Sequence, residues 1–311
     1  MKRTILFAVL LSLLTVSVSA QKAKAPERQG WSNWSDDSLY GNVESVTITK
    51  YILTDKFGEI IKDGTIDKKV YKFNQQGDVI EEAYYYGDGS LWWKDLYKYD
   101  SKGNIIEKAV YNGDGSLDYK VLYKYDSKGN KIEEAVCNSD GSLNYKELYK
   151  YDSQGNKIEF ASYNSDGSLR EKNSYKYDSK GNMIESAYYD SDGSLRWKDL
   201  VKYDSQGNLI EVAHYISDDS LSWKLLYKYD SQGNEIETAY YNSDGSLGWK
   251  DLYKYDSKGN MIEWARYNSD GSLRWKDLYK YDSQGNWTEK TSYDGEIMKP
   301  ASMVVREIVY R

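Results

Sequence analysis

The chain has 311 residues, a formal net charge of −7, 33 Tyr and 10 Trp against 4 Phe, and only one Cys, one His and two Pro. The acidic balance argues against a nucleic-acid partner, which needs a basic face, and a lone Cys137 excludes an intrachain disulfide. One His without a second Cys leaves no material for a nucleophilic triad or for most transition-metal sites; no cofactor or metal is expected, and the chain reads as non-enzymatic.

Residues 1–20 begin Met1-Lys2-Arg3, run apolar from Ile5 to Val18 and end Val18-Ser19-Ala20. A short basic start, an apolar stretch too short to span a bilayer and small residues at −3 and −1 describe a secretory signal peptide cut after Ala20. The mature protein is then secreted, periplasmic or on the cell surface, with no later segment of spanning length. Residues 21–42, polar with Pro26 and several Ser, read as a linker. Residues 43–70, with Val46-Thr-Ile-Thr49 and Glu59-Ile-Ile61, read as an irregular N-terminal cap on a single β-repeat domain that runs over 43–311.

From 71 to 286 the chain repeats every 26 residues. Tyr-Lys-Tyr-Asp-Ser-(Lys/Gln)-Gly-Asn begins at Tyr97, Tyr123, Tyr149, Tyr175, Tyr227, Tyr253 and Tyr279, with Val201 heading one copy and a looser copy at Tyr71. A fixed period of this length marks an array whose units bury apolar surface against their neighbours. In one unit, Met261–Tyr267 and Leu273–Tyr281 read as strands, joined by Asn268-Ser-Asp-Gly271 and followed by Asp282-Ser-Gln-Gly285. Asn or Asp suits the first position of a type I turn and Gly the left-handed residue after it, so each repeat gives two strands of an antiparallel meander.

That turn pairs Asn268 with Ser272 and predicts Ala265 opposite Trp275. One sheet face then carries Leu273, Trp275, Asp277, Tyr279 and Tyr281 beside Glu263, Ala265 and Tyr267; the other carries Arg274, Lys276, Lys280 and the variable positions 264 and 266. The first face hardly changes between copies, as a packed face would. About 18 strands at roughly 4.8 Å give a sheet on the order of 85 Å long, which must twist and coil. The expected fold is all-β: an antiparallel β-hairpin repeat solenoid or curved ribbon, two strands per repeat, aromatic face inward. Residues 287–311, with Met303–Tyr310, form a C-terminal closing strand.

Four features bear on chemistry. His214 stands in a variable column and reads as an incidental surface residue. Glu263 and Asp277, repeated as Glu81/Asp95, Glu133/Glu147, Glu185/Asp199 and Glu237/Asp251, form carboxylate pairs of the kind glycosidases use. A pair stamped along an array is foremost structural, with cation binding second and hydrolysis a remote alternative. Asp190-Ser-Asp192-Gly193 opens like a calcium loop but has Val201 where the EF-hand needs Glu. Finally, Trp93, Tyr119, Tyr145, Trp197, Trp223, Trp249 and Trp275 share one column, broken by Glu171. Exposed, this ladder is a platform for sugar rings; inward, it is core. Tyr84, Trp92, Tyr188, Tyr240 and Trp264 would form a second, weaker platform.

The signature Tyr97-Lys-Tyr99-Asp100-Ser-Lys-Gly103-Asn104 resembles the YD repeats of the Rhs family, found in bacterial Rhs and insecticidal toxin proteins, wall-associated proteins and teneurins. The likeness covers residues 71–286. It implies a spiralling antiparallel β-ribbon, in large members a shell around a toxin domain, with extracellular exposure and, for some members, carbohydrate binding. This chain reads as too short for a closed shell, and no self-cleaving core or toxin segment follows Asn286, so an open array is expected. Asn-Ser-Asp-Gly-Ser-Leu with Trp is more loosely similar to aromatic cell-wall-binding repeats that grip choline or glucan. The expected function is multivalent binding of a glycan or a cell-surface protein, weak subsites adding through effective concentration; the alternative is a structural or adhesive ribbon without a defined ligand.

Overall fold

The computed structural model describes residues 28–29, 39–57, 59–296 and 299–311; the signal segment and most of the linker lie outside them. Two short strands, β1 (Arg28–Gln29) and β2 (Leu39–Tyr40), pair with each other. Two long ones follow, β3 (Val43–Lys56) and β4 (Glu59–Phe73). The repeats supply β5 (Val79–Tyr86), β6 (Leu91–Tyr99), β7 (Ile105–Asn112), β8 (Leu117–Tyr125), β9 (Lys131–Asn138) and β10 (Leu143–Tyr151). They continue as β11 (Lys157–Asn164), β12 (Leu169–Tyr177), β13 (Met183–Asp190), β14 (Leu195–Tyr203), β15 (Leu209–Ile216) and β16 (Leu221–Tyr229). The last are β17 (Glu235–Asn242), β18 (Leu247–Tyr255), β19 (Met261–Asn268), β20 (Leu273–Tyr281), β21 (Trp287–Asp294) and β22 (Pro300–Tyr310).

Each strand from β3 to β22 pairs antiparallel with the next, and β22 then pairs with β3, from Ser302↔Ile52 to Tyr310↔Val43. The result is a closed barrel, which corrects the expected open ribbon. A long sheet coils, and coiling brings its first and last edges together. Joining them satisfies two rows of backbone N–H and C=O groups that an open ribbon would leave bare. Twenty strands form a wall longer than those of porin-sized barrels, so the interior is a lumen that wall side chains alone do not fill.

The repeat signature is written in the turns. At one rim Asp100 N donates to Asn104 O and Gly103 N to Asp100 O, at 2.9 and 3.1 Å. The Asp100 carboxylate accepts Lys102 N, Asn104 N and Asn104 Nδ2 at 2.8–2.9 Å. At the other rim Asn112 N donates to Ser116 O, while Asp114 Oδ1 accepts Ser116 N and Oγ at 2.9 and 2.6 Å. Tyr99 Oη reaches back to Val79 O at 2.6 Å, and Tyr125 to Ile105 O at 2.8 Å. Each Asp, Gly, Asn and second Tyr of the motif thus has its own backbone duty.

Both turns are followed by a β-bulge. Beyond the pair Tyr267↔Leu273 the next is Arg266↔Trp275, leaving Arg274 extra; beyond Tyr255↔Met261 the next is Lys254↔Glu263, leaving Ile262 extra. A bulge sets two residues of one strand against one of its neighbour, so the expected register is off by one along the body of each strand. Ala265 lies opposite Lys276 and Glu263 opposite Leu278, while Trp264 and Arg266 share the face of Asp277 and Trp275. The expected partition of faces is corrected accordingly, and the bulged column joins the Trp face: Arg196 lies 5.9 Å over the Tyr188 ring and Trp92 packs on Tyr84 and Tyr86 at 5.3 and 5.4 Å.

The face with Trp, Asp and Tyr holds most of the buried side chains larger than Ala, as the crowded concave side of a coiled sheet does. Leu39 packs there against Val43, Val46, Tyr71, Phe73 and Val79, and an open hollow of about 340 Å³ lies there too. The convex face carries nine Lys–Glu pairs at 2.7–2.9 Å, from Lys72–Glu81 to Lys280–Glu289, their lysines 54–72 % exposed.

Candidate functional site: an aromatic and carboxylate wall

All seven residues of the predicted ladder, Trp93, Tyr119, Tyr145, Trp197, Trp223, Trp249 and Trp275, are half-buried on the concave face. The register shift brings the 266 column between them. Tyr188, Trp197, His214, Trp223, Tyr240 and Trp249 form one continuous stack, with successive centroids 5.5, 5.4, 4.8, 6.1 and 5.6 Å apart. Arg266 extends it, 4.0 Å above Trp249 and 5.5 Å from Trp275. Tyr84 stacks on Trp93 at 5.6 Å. Tyr84, Tyr188 and Tyr240 are therefore not a second platform but rungs of the first.

His214, expected at the surface, is half-buried within this stack, and its Nδ1 lies 2.7 Å from Asp199 Oδ1. The bulges are the reason: they turn its column to the lumen.

Next to the ladder runs a carboxylate row in which Asp95, Asp199, Asp251 and Asp277 are buried. Their partners come from the variable columns: Lys108 to Asp95 at 2.6 Å, His214 to Asp199, Arg266 to Asp251 at 2.7 Å, and Lys290 to Asp277 at 3.2 Å. Glu82 is likewise held by Lys69 at 2.5 Å. Burial costs a carboxylate unless a charge and hydrogen bonds compensate. Accordingly, where the row turns apolar, at Val121 and Leu225, its opposite numbers include Val136 and Val212. The drift of columns 264 and 266 is compensation, and a Lys, Arg or His 13 or 15 residues after each buried Asp was its signal in the sequence.

The predicted carboxylate pairs are not brought together. Glu263 faces outward to Lys254 at 2.8 Å, while Asp277 faces the lumen. Burial pushes the Asp95 carboxyl up, although Lys108 and Tyr97 pull it down. Burial also raises Glu147, which accepts Tyr149 Oη at 2.6 Å, and Glu235. Asp190-Ser-Asp192-Gly193 is a turn whose Asp192 accepts Ser194 N and Oγ at 2.9 and 2.7 Å. Among the described residues no three His, Cys, Asp or Glu gather as a metal site would require.

The stack has gaps. Val110, Val136 and Ser162 stand where other repeats place a ring. At the first gap lies the hollow of about 340 Å³, lined by Trp92, Trp93, Asp95, Lys108, Val110, Asn112, Asp118 and Tyr119. Sequence reading missed it, because it placed Val110 on the other face.

A family model described as Teneurin YD-shell matches residues 14–248. No curated protein sequence matches the chain. Among solved structures it is similar to TcdB2-TccC3 without the hypervariable C-terminal region, at 13 % identity and TM-score 0.41, over 81 % of this chain and 15 % of that one. It is similar to a Photorhabdus luminescens Tc holotoxin pore, at 12 % identity and TM-score 0.31, over 78 % of this chain and 19 % of that one. It is also similar to a porin-like protein from Bacteroides uniformis, at 8 % identity and TM-score 0.39, over 86 % of this chain and 98 % of that one. The chain thus spans less than a fifth of the first two, and none of these likenesses reaches the level at which shared function follows.

Proposed function

Because the chain belongs to the teneurin YD-shell family, we propose that it is an exported, non-enzymatic β-shell that binds a glycan against its lumenal wall. The observation that carries this reading is the concave ladder from Trp93 to Trp275, whose rings are half-buried rather than sealed into a core. Flat rings edged by carboxylates and lysines match a sugar, which has apolar C–H faces and hydroxyl rims. The apolar start of residues 1–20 supports export. The outer wall supports a shell standing in water: a lipid-facing barrel carries an uninterrupted apolar band, whereas this one carries the ring of Lys–Glu pairs and a further row of lysines from Lys94 to Lys276.

A second reading, a purely structural shell, is favoured by the stack from Tyr188 to Trp249, in which each inner ring has both faces covered by its neighbours. A glycan array probed with the purified protein, with and without calcium, separates the two. Retention of one polymer class supports binding, and loss of that signal in Trp93→Ala places it at the ladder. A blank array in both conditions leaves the structural shell.

A further inference from the structure

The geometry points to a single pyranose-binding slot between Trp93 and Tyr119, floored by Val110. This deepens the glycan reading above and rests on it, but it replaces many equivalent subsites with one. In the regular part of the wall, Tyr240 lies between Trp223 and Trp249, with centroids 6.1 and 5.6 Å away, so a position of this kind accommodates one six-membered ring. At Val110 that ring is missing, and the space is the hollow of about 340 Å³, near the lower end of the roughly 300–1,000 Å³ typical of small-molecule sites.

The polar groups at the slot fit a sugar. Asp95 is 2 % exposed and lines the hollow; its Oδ2 is engaged by Lys108 and Tyr97, while Oδ1 has no hydrogen-bond donor among the described residues. A buried acceptor left unpaired is costly, and a ligand hydroxyl supplies the missing donor. Lys108 and Asn112 add donors for a ring or hydroxyl oxygen. A phenyl ring from a peptide would fill the same space but bring no hydroxyl to Asp95, and a tyrosine would bring only one, whereas a pyranose carries several around its rim, so the pyranose is the better match.

The test titrates the full-length protein with cellohexaose, chitohexaose and indole, following heat and Trp fluorescence. Val110→Tyr inserts the ring that Tyr240 provides elsewhere; Tyr240→Val opens a similar space, but opposite Leu225 rather than an Asp. The expected result is one equivalent of hexaose bound to the native protein, weakened at least about tenfold by Val110→Tyr, with no second equivalent gained by Tyr240→Val, whose space lacks the Asp. Should Val110→Tyr fail to fold, Asp95→Asn preserves volume and is expected to weaken binding by a similar factor. Hexaose binding unchanged by Val110→Tyr and by Asp95→Asn overturns the slot while leaving lumenal glycan binding intact. Indole binding that Val110→Tyr removes, with no response to either hexaose, overturns the pyranose assignment. No binding of any probe overturns the slot and, with a blank glycan array, the glycan reading as well.

Discussion

Arg266 grips both oxygens of Asp251: its Nε donates to Oδ1 and its Nη2 to Oδ2, each at 2.7 Å, while its guanidinium lies 4.0 Å over Trp249. One side chain thus neutralises a buried charge and continues the aromatic stack, two tasks suited to the planar fork of Arg.

Removing that partner should be costly. Arg266→Met leaves Asp251, 2 % exposed, without its cation, and about 3 kcal/mol of stability should be lost. The double variant Asp251→Leu with Arg266→Val should recover most of it, because the chain already carries an apolar version of this pair at Val121 beside Val136. Urea unfolding midpoints of the two variants check this; a double variant weaker than the single one would contradict it.

Asn286 should be the latch of the N-terminal segment. It is 1 % exposed, accepts Tyr40 N at 2.6 Å, and donates to Tyr40 O at 2.8 Å and Tyr310 Oη at 2.7 Å. Asn286→Ala should cost about 1–3 kcal/mol and release Leu39–Tyr40 from the barrel end. Hydrogen exchange should accelerate at residues 39–43 while the repeat strands stay protected.

Alkaline pH should open the barrel through its tyrosines. Burial raises Tyr99 and Tyr177 to about 12, and raises Tyr97, Tyr123 and Tyr253 as well. A phenol with a raised folded-state pKa favours the fold while protonated. That stability is fully present below the unfolded value of about 10 and is lost as pH rises through the folded value. Phenolate absorbance from these tyrosines and the β-sheet circular dichroism signal should therefore change together near pH 12.

Asp219 offers a stabilising change. It has φ 64° at the turn position where other repeats place Gly, as Gly193 at φ 84°. Its contact with Lys198 is exposed on the Asp219 side and worth little. Asp219→Gly should gain about 0.5–1 kcal/mol, and Gly193→Asp should lose about as much; thermal melts compare them directly.

The strands and turns of the repeats were legible because their causes are local. Asn268 pairs with Ser272 and Tyr281 with Trp287 as the turn residues require. The site was only half legible. The seven ladder residues share one half-buried column, as their spacing implies, but Tyr188, His214, Tyr240 and Arg266 were assigned to the wrong face, since a bulge one residue beyond a turn inverts every later partner. Nothing in Arg274 or Ile262 as residue types announces that they are the extra ones.

The amino-acid order alone determined the 26-residue unit, its two turns and its antiparallel strands, because an Asp carboxylate capping its own turn and a Gly at positive φ act within five residues. Only the tertiary structure decided that the array closes, and which columns line the lumen. Closure depends on pairing β22 with β3, segments outside the repeats and about 250 residues apart, through backbone groups that every residue carries alike. Backbone pairing of this kind leaves no residue-type signature; it emerges when the accumulated coil of twenty strands brings the two edges together.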